Sequence, residues 1–348
     1  MASRPHLALV TDAWLPQVNG VVTTMSKVVD LLIEDGLDVS VVEPSLFRTM
    51  KMPRYEEIRL TISPFKAYRT LSQLNPDHVH IATEGPLGTI ARFWCRRRGF
   101  RFSSSYHTRF PEYVRDIYGL PPGPVTAYMR WFHGGADYTL VPTAGVKEDL
   151  DRSGFRNVLV WSRGVDTTLF NPSRGVEGLL GTRQPGEVFL VYVGRVSKEK
   201  SIEDFCRLAE LPEYRCTVVG DGPQRKELEK RYAGRISFVG FKRGVELAQY
   251  FASADVTVFP SRTDTFGNVI TESMASGTPV AAYPVMGPKD VISEGVSGAM
   301  DEDLREAVKR ALGCDRQQVR RYAESFSWTA CTELFRETLP SNTGRIKR

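Results

Sequence analysis

The sequence predicts an α/β protein made of two Rossmann-like domains, each a doubly wound parallel sheet. The chain has 348 residues, which is too long for one ordinary core and fits two domains of about 150–200 residues. Short apolar, β-branched runs alternate with helix-length segments along its length, a pattern typical of βαβ units. About eleven such runs are too many for one comfortable sheet, so we expect two.

The predicted strands are short runs rich in apolar and β-branched residues, and most of them are nearly continuous in hydrophobicity. Such continuity is expected of strands that are buried on both faces of a parallel sheet. The runs are His6–Val10, Leu37–Val42, Asp77–Ala82, Phe100–Tyr106, Tyr138–Pro142, Asn157–Val160, Val188–Val193, Arg215–Val219, Ile236–Val239, Asp255–Pro260 and Pro279–Ala282. Most are followed by a segment long enough to form the crossover helix of a βαβ unit.

The predicted domain break falls in a stretch rich in turn-forming residues. Asn171–Gly175 and the segment after it combine Gly, Pro, Asn and Ser without a sustained periodicity. We therefore expect an N-terminal domain over residues 1–165, a linker over 166–187 and a C-terminal domain over 188–315. A long helical stretch, 316–339, is expected to end the fold.

The composition is that of a compact globular protein. Charged residues make up 25% and hydrophobic residues 41%, which excludes a disordered chain, a collagen and a coiled coil. No apolar stretch approaches the roughly 18–20 residues that cross a bilayer, and the N-terminus has no hydrophobic signal region. The five cysteines are odd in number and form no C-x-x-C pair. They predict buried thiols in a reducing compartment, so we expect a cytoplasmic protein.

The richest motif lies between Val258 and Pro279, where a buried strand leads through a polar loop into a helix. Such a helix start lies at the carboxyl end of a parallel strand, where open α/β sheets bind ligands. Asp264 in the loop and Glu272 in the helix can accept hydrogen bonds from two sets of hydroxyl groups. Alternatively, Asp264 only favours the helix dipole and Glu272 is solvated. Backbone N–H groups suited to sugar or phosphate oxygens are expected at Phe266, Gly267 and Asn268.

Two further strand ends carry glycines and cations. Gly194 follows the strand Val188–Val193, Arg195 comes directly after it, and Lys200 lies further along the same turn. Two cations there can neutralise a diphosphate, although a solvated basic turn is the alternative. Gly220 lies at the next strand end, in V-V-G-D-G-P, where glycine permits close backbone approach.

In this order and spacing, the motifs resemble the family-4 retaining glycosyltransferases of the GT-B fold. The matching pieces are G-R-V-S-K-E-K, V-V-G-D-G-P and F-P-S-R-T-D-T-F-G-N-V-I-T-E-S-M-A-S-G-T-P-V, with T-D-A-W-L-P-Q-V-N-G-V and S-Y-H-T-R-F in the N-terminal half. The chain is similar to bacterial diacylglycerol glycosyltransferases and related mannosyltransferases. The resemblance implies two domains facing a central cleft, acceptor binding by the first, nucleotide-sugar binding by the second, and a final helix packed back on the first.

The resemblance also implies roles for single residues. Arg195 and Lys200 hold the donor diphosphate, and Glu272 holds the nucleotide ribose. Asp264 and the backbone of 266–268 face the transferred sugar, where the family usually has Glu in place of Asp264. The remaining donor-site residues are Gly20, Gly194 and Gly220, and His107 matches the family's histidine near the sugar. Taken without the resemblance, His107 is a strand-end histidine with a structural role.

Weaker expectations concern the acceptor and metal ions. Asp12 and Trp14 share the first strand-end loop and are candidates for acceptor contact, with capping and core packing as the alternative. Asp301-Glu302-Asp303 has the D-x-D spelling of metal-dependent glycosyltransferases of another fold, but it precedes a predicted helix, where acidic residues are expected. We expect no metal and no cofactor, because the nucleotide diphosphate sugar is a co-substrate.

A basic and aromatic segment suggests a membrane. Residues 51–132 carry 13 basic and 6 acidic groups, and aromatics interleave with arginines over Phe93–Arg101 and Arg109–Phe132. This mixture suits the surface of an anionic membrane. The alternative is a helix with core aromatics and solvated arginines, and no nucleic-acid-binding fold accompanies it. The candidate membrane residues are Trp94, Arg96, Arg97, Arg98 and Arg101.

We therefore expect a retaining, metal-independent hexosyltransferase. It moves a hexose or hexuronate from a nucleotide diphosphate sugar, UDP-linked, to a membrane lipid such as diacylglycerol, at the inner face of the cell membrane. A GDP-mannose-dependent mannosyltransferase acting on a lipid or polysaccharide is one alternative. A non-hydrolysing sugar-nucleotide epimerase and a non-catalytic sugar-nucleotide sensor are the others.

Overall fold

The chain folds into two compact units. The computed structural model describes residues 4–17, 19–52, 55–111, 114–115, 119 and 121–342. Unit 1 contains the residues up to Arg163 together with those from Trp328 onward, and unit 2 contains Gly164–Ser327. Residues 166–187, expected as a linker, lie within unit 2, and the side chains of Phe170 and Leu180 are buried in its core.

Unit 1 is built on a parallel sheet with the strand order β2-β1-β5-β6-β7-β8. Its strands are β1 (His6–Val10), β2 (Asp38–Val42), β5 (His78–Ile81), β6 (Ser103–Ser105), β7 (Thr139–Val141) and β8 (Val158–Val160). All six lie within the predicted runs. The sequence missed an antiparallel hairpin formed by β3 (Thr49–Met52) and β4 (Tyr55–Thr61).

Helices cover both faces of this sheet and bury its apolar side chains. They are α1 (Gly20–Glu34), α2 (Pro64–Leu74), α3 (Pro86–Arg98), α4 (Pro122–His133), α5 (Ala144–Arg152) and the final helix α13 (Trp328–Glu337). Helix α1 begins where the Asn19 side chain accepts a hydrogen bond from the Val22 N–H at 3.0 Å, an N-cap that satisfies one otherwise orphan donor. Its apolar positions then pack against β1 and α13.

Unit 2 repeats the architecture with the order β11-β10-β9-β12-β13-β14. Its strands are β9 (Val188–Val193), β10 (Tyr214–Val219), β11 (Ile236–Gly240), β12 (Val256–Phe259), β13 (Val280–Ala282) and β14 (Gly298–Met300). Strand β14 was not predicted, because Gly-Ala-Met carries no β-branched signal. A Cβ at Gly298 would lie 2.1 Å from the Val280 carbonyl oxygen, so glycine allows β14 to reach β13.

The helices of unit 2 connect these parallel strands. They are α6 (Ile202–Leu208), α7 (Arg225–Arg231), α8 (Gly244–Ser253), α9 (Asn268–Ala275), α10 (Pro288–Val291), α11 (Leu304–Ala311) and α12 (Arg316–Ala323). The two-sheet architecture is the predicted one. Within the described part of the chain, no helix is long and apolar enough to cross a membrane.

The helical stretch expected over 316–339 is two helices rather than one. Helix α12 belongs to unit 2, and only α13 belongs to unit 1. The break occurs at Phe326, whose carbonyl accepts from the Val165 N–H at 3.0 Å and whose ring lies 6.1 Å from that of Phe266. Helix α13 is anchored in unit 1 by the Trp161 indole N–H, which donates to the Cys331 carbonyl at 2.8 Å.

Candidate functional site

Two strand-end loops of unit 2 pack backbone against backbone. Gly194 follows β9 and Gly220 follows β10, with φ angles of +153° and +147°. A Cβ at Gly220 would lie 1.9 Å from the Gly194 carbonyl oxygen, and one at Gly222 would lie 2.4 Å from that of Val196. Any larger residue would separate the loops. The two loops are joined by the Val196 N–H, which donates to the Asp221 carbonyl at 2.9 Å.

The loops after β9 and β12 bring a cation and a carboxylate together. Lys200 Nζ lies 2.5 Å from Asp264 Oδ1, with the two side chains 28% and 23% exposed. The Thr263 hydroxyl donates to the Glu199 carbonyl at 3.2 Å and fixes the same junction. Arg195 lies on the β9 loop, and its carbonyl accepts from the Tyr192 hydroxyl at 2.6 Å. The structure thus brings Lys200 and Asp264 into direct contact at the carboxyl edge of the sheet.

Glu272 provides a second carboxyl group near this edge. It lies on α9, which follows Gly267 (φ +83°), where a Cβ would meet Phe259 Cζ at 2.8 Å. Burial raises the pKa of Glu272 from 4.5 to about 7. Among the residues that the structure describes, no side chain or backbone group forms a hydrogen bond or ion pair with its carboxyl oxygens. A half-buried carboxyl group without such a partner is suited to accept hydrogen bonds from ligand hydroxyl groups.

The sequence missed Gly287 as part of this region. Its φ is +90°, and a Cβ there would lie 2.4 Å from the Asp264 carbonyl oxygen. Glycine therefore lets the segment before α10 pack against the loop that carries Asp264. The dipeptide Gly287-Pro288 is a turn signal that would have indicated it.

The D-x-D sequence is part of a helix start. Asp303 caps α11 by accepting from the Arg305 N–H at 2.9 Å, and Asp301 pairs with Arg310 at 3.0 Å. Over the described residues, no group of three or more His, Cys, Asp or Glu side chains is arranged to hold a metal ion.

In unit 1, Asp12 has the capping arrangement that the sequence left open for it. Its carboxylate accepts from the Leu87 N–H at 2.9 Å and the Gly88 N–H at 3.3 Å, and from the Thr83 hydroxyl at 3.0 Å. It therefore caps the start of α3 from the loop after β1. Burial raises the pKa of Asp12 from 3.8 to about 6. The half-buried Trp14 packs against the core.

His107 lies beyond β6 at the carboxyl edge of the first sheet, the edge where Gly20 begins α1. Its Nδ1 atom lies 3.0 Å from a guanidinium nitrogen of Arg163. Burial and the Arg163 charge hold the pKa of His107 well below its usual 6.5. The sequence missed Arg163, although a charged residue just beyond the strand Val158–Val160 is a signal for this edge.

The candidate membrane residues divide into three groups. Trp94 is 1% exposed and its indole N–H donates to the Ser72 hydroxyl at 2.9 Å, so the prediction that it meets a membrane is wrong. It is a core residue because it faces α2. Arg101 is exposed and pairs with Asp137 at 2.5 Å. The arginines 96–98 lie in the last turn of α3 and are exposed.

The second part of the basic-aromatic segment is only partly described. Residues 112–113, 116–118 and 120 lie outside the described part of the chain. Phe132 is buried, whereas Trp131 is 46% exposed with the Arg92 guanidinium 3.7 Å from its ring centroid.

Comparisons with known proteins identify the family. Glycosyltransferase Family 4 matches residues 18–169, and Glycosyl transferases group 1 matches residues 187–313. A GDP-mannose-dependent alpha-mannosyltransferase of Mycobacterium tuberculosis is 32% identical over 94% of this chain and 95% of its own length. The chain belongs to glycosyltransferase family 4. The resemblance seen in the sequence is thereby confirmed, and the protein is a glycosyltransferase.

Other relatives and solved structures agree. Sulfoquinovosyl transferase SQD2 of Arabidopsis thaliana is 32% identical over 83% of this chain, which spans 61% of that relative's length. Alpha-monoglucosyldiacylglycerol synthase of Streptococcus pneumoniae is 27% identical over 88% of this chain and 78% of its own. Sucrose-phosphate synthase from Thermosynechococcus elongatus has a TM-score of 0.80 at 22% identity, covering 96% of this chain and 99% of that one. The fold of this glycosyltransferase is GT-B.

Proposed function

We propose that this glycosyltransferase moves a hexose or hexuronate from a UDP-sugar to a membrane lipid such as diacylglycerol, with retention of anomeric configuration. The observation that carries the proposal is the contact between Lys200 and Asp264 at 2.5 Å. A cation that binds the donor diphosphate and a carboxylate that binds the sugar hydroxyls then stand side by side. The bond between sugar and phosphate would lie next to this pair.

The chemistry that we propose uses binding and charge rather than a protein nucleophile. Arg195 and Lys200 neutralise the diphosphate, and their effect grows as negative charge develops on the departing phosphate. On donor binding, Lys200 exchanges the Asp264 carboxylate for phosphate oxygens, which leaves that carboxylate to accept from sugar hydroxyls. The Glu272 carboxylate accepts from the ribose hydroxyls.

Transfer then takes place on one face of the sugar. The acceptor oxygen forms a bond to the anomeric carbon as the bond from that carbon to the phosphate oxygen breaks. The leaving diphosphate takes the acceptor's proton. No metal enters the step, and most of the rate comes from positioning and electrostatic stabilisation.

The lipid acceptor is supported by relatives and by the surface of unit 1. The relative from Streptococcus pneumoniae is named as a synthase of a glucosyldiacylglycerol. Unit 1 carries exposed basic residues, Arg96, Arg97 and Arg98 among them, and exposed cations favour association with an anionic lipid surface. We propose a cytoplasmic enzyme that associates peripherally with the inner face of the cell membrane.

A second candidate is a GDP-mannose-dependent mannosyltransferase. The observation that favours it is the mannosyltransferase of Mycobacterium tuberculosis, which matches 94% of this chain and 95% of its own length. Both candidates use the same diphosphate and sugar contacts and differ in the nucleotide base and the sugar.

The test is a donor screen with radiolabelled UDP- and GDP-sugars and total bacterial lipid extract. Transfer to diacylglycerol carries label from a UDP-sugar into the organic phase. Label from GDP-mannose alone would favour the second candidate. Release of free epimerised nucleotide sugar without an acceptor would contradict both candidates.

A further inference from the structure

Four exposed apolar side chains lie where the β3–β4 hairpin meets the first turn of α2. Their exposed fractions are 86% for Phe65, 55% for Ile62, 49% for Met50 and 43% for Leu46. We call these four residues the hairpin patch. Large side chains exposed this far and close together mark a binding surface rather than ordinary solvent-facing residues.

Hydrogen bonds and strand pairing join the two segments that carry the hairpin patch. The Lys66 ammonium donates to the Leu46 carbonyl at 2.7 Å, and the Ile62 N–H donates to the Arg48 carbonyl at 2.9 Å. Met50 stands opposite Leu60 in the antiparallel ladder. The two segments that carry the patch are therefore direct neighbours.

The surroundings of the hairpin patch are basic. Residues 45–69 contain six Lys or Arg and two Glu. Five of the basic residues are described and exposed, and they are Arg48, Lys51, Arg59, Lys66 and Arg69. Apolar side chains within a basic ring complement an anionic bilayer, where rings enter the headgroup region and cations meet phosphates.

The hairpin patch also lies at the functional edge of unit 1. The hairpin follows β2, whose last carbonyl, that of Val42, accepts from the Thr11 N–H at 3.0 Å in the loop after β1. Helix α2 begins at the same edge, because it must run back to the amino end of β5. That edge also carries Gly20 and His107.

We propose that the hairpin patch docks unit 1 on an anionic lipid bilayer, with Phe65 and Ile62 entering the headgroup region. Docking brings the carboxyl edge of the first sheet to the surface from which a lipid acceptor is taken. Only the uptake of a lipid acceptor at this surface rests on the proposed function. Docking is a property of unit 1 that is measurable without donor or acceptor.

The test is sedimentation with phosphatidylcholine vesicles that contain increasing phosphatidylglycerol. The variants are Ile62→Thr with Phe65→Ser, and Arg48→Glu with Arg69→Glu. Phe241→Ser is the matched control, because Phe241 is 49% exposed in unit 2 and has the Arg243 guanidinium over its ring. We expect wild-type and control binding to rise with phosphatidylglycerol, and both double variants to bind at least about tenfold more weakly.

If both double variants bind vesicles as well as wild type does, the docking proposal is overturned. It is also overturned if vesicle binding is lost only in a variant with Arg96, Arg97 and Arg98 all changed to Glu. Binding to neutral vesicles alone would overturn the role of the basic ring. Transfer to diacylglycerol in detergent micelles is measured separately. If neither the wild type nor any variant transfers sugar to diacylglycerol, the proposed function is contradicted and the docking result is unaffected.

An independent observation concerns Arg163. Its side chain is 4% exposed, and one of its guanidinium nitrogens donates to the Trp161 carbonyl at 2.9 Å. Another faces His107 Nδ1 at 3.0 Å. A guanidinium has only donors, so Nδ1 must accept and the ring's proton must be on Nε2.

We infer that Arg163 is a positioning residue that holds His107 as the neutral Nε2–H tautomer. His107 can then donate a hydrogen bond from Nε2, and it cannot serve as a base through Nδ1. The use of that donor toward the transferred sugar rests on the proposed function. The tautomer itself does not.

Nitrogen-15 NMR of the histidine rings at about pH 7.5 tests this directly. The protein has five histidines, and His107→Gln assigns the signal. We expect the Nε2–H pattern in the wild type and in Arg163→Lys, and a mixture of tautomers in Arg163→Met. Arg92→Met is the control, because Arg92 is a buried arginine of unit 1 that donates to the Phe132 carbonyl.

An Nδ1–H pattern in the wild type, or an unchanged pattern in a folded Arg163→Met, would overturn the inference. If the protein transfers sugar as proposed, Arg163→Met also lowers kcat by about tenfold, the size of one lost hydrogen bond, and Arg163→Lys restores much of it. If the histidine signals follow the expected tautomer pattern but the wild-type protein transfers no sugar, only the proposed function is contradicted.

Discussion

Replacement of Lys200 by Ala is expected to separate catalysis from stability. The ion pair with Asp264 is partly exposed, with side chains 28% and 23% accessible. A pair of this kind contributes at most about 1 kcal/mol to the free energy of unfolding. The same ammonium, placed on a departing diphosphate, is expected to contribute about 10²–10³ in rate, the range for one lost electrostatic stabiliser. The variant should therefore be nearly as stable as wild type and slower by two to three orders of magnitude.

The assays are urea unfolding and initial transfer rates at saturating acceptor. Lys309→Ala is the matched control, because Lys309 forms a 2.5 Å pair with Glu306 on the surface of α11, away from the proposed donor contacts. We expect the control to change neither rate nor stability by much. A Lys200→Ala enzyme with a wild-type rate, in a folded protein, would refute the placement of the diphosphate at this loop. Arg195→Ala tests the second cation in the same way.

Three further predictions follow from the same region. Transfer should survive EDTA, because side chains supply the cations, and activity that the chelator abolishes and Mn²⁺ or Mg²⁺ restores would contradict this. Asp264→Glu should change the ranking of donor sugars. Asp264→Asn should lower the transfer rate, because it removes the negative charge of the carboxylate that accepts hydrogen bonds from the sugar hydroxyls. If both variants match wild type with every donor, Asp264 has only a structural role. Because burial raises the pKa of Glu272 to about 7, the folded state holds a proton that the unfolded chain has lost, so the free energy of unfolding falls as pH rises from about 4.5 to about 7. Glu272→Gln should therefore stabilise the protein more at about pH 8 than at about pH 5 in thermal unfolding, and equal gains would contradict that assignment.

The strands were predictable because burial on both faces leaves a strong signal. All eleven predicted runs contain a strand, whereas β14 escaped notice because Gly298-Ala299-Met300 is short and lacks β-branched residues. The β3–β4 hairpin also escaped notice, since its described exposed residues, Met50, Lys51 and Arg59, do not form an apolar run.

The contacts of the site depend on distances that a sequence does not contain. The residue types and strand ends indicated Lys200 and Asp264, but their direct contact across 64 positions is a product of the strand order. The capping contacts of Asp12 depend on the position of α3, which the sequence does not contain. Trp94 was misassigned because sequence gives the composition of a helix without saying which neighbour its aromatic side chain faces.

The most direct test of the central claim is proton NMR of the lipid product formed from an α-linked UDP-hexose and diacylglycerol. The coupling at the anomeric proton of the first-formed glycolipid reports the configuration of the new bond. We predict an α-linked glycosyldiacylglycerol that accumulates together with UDP. A β-linked product would contradict transfer on one face of the sugar. UDP release with free hexose and no glycolipid would contradict the lipid acceptor.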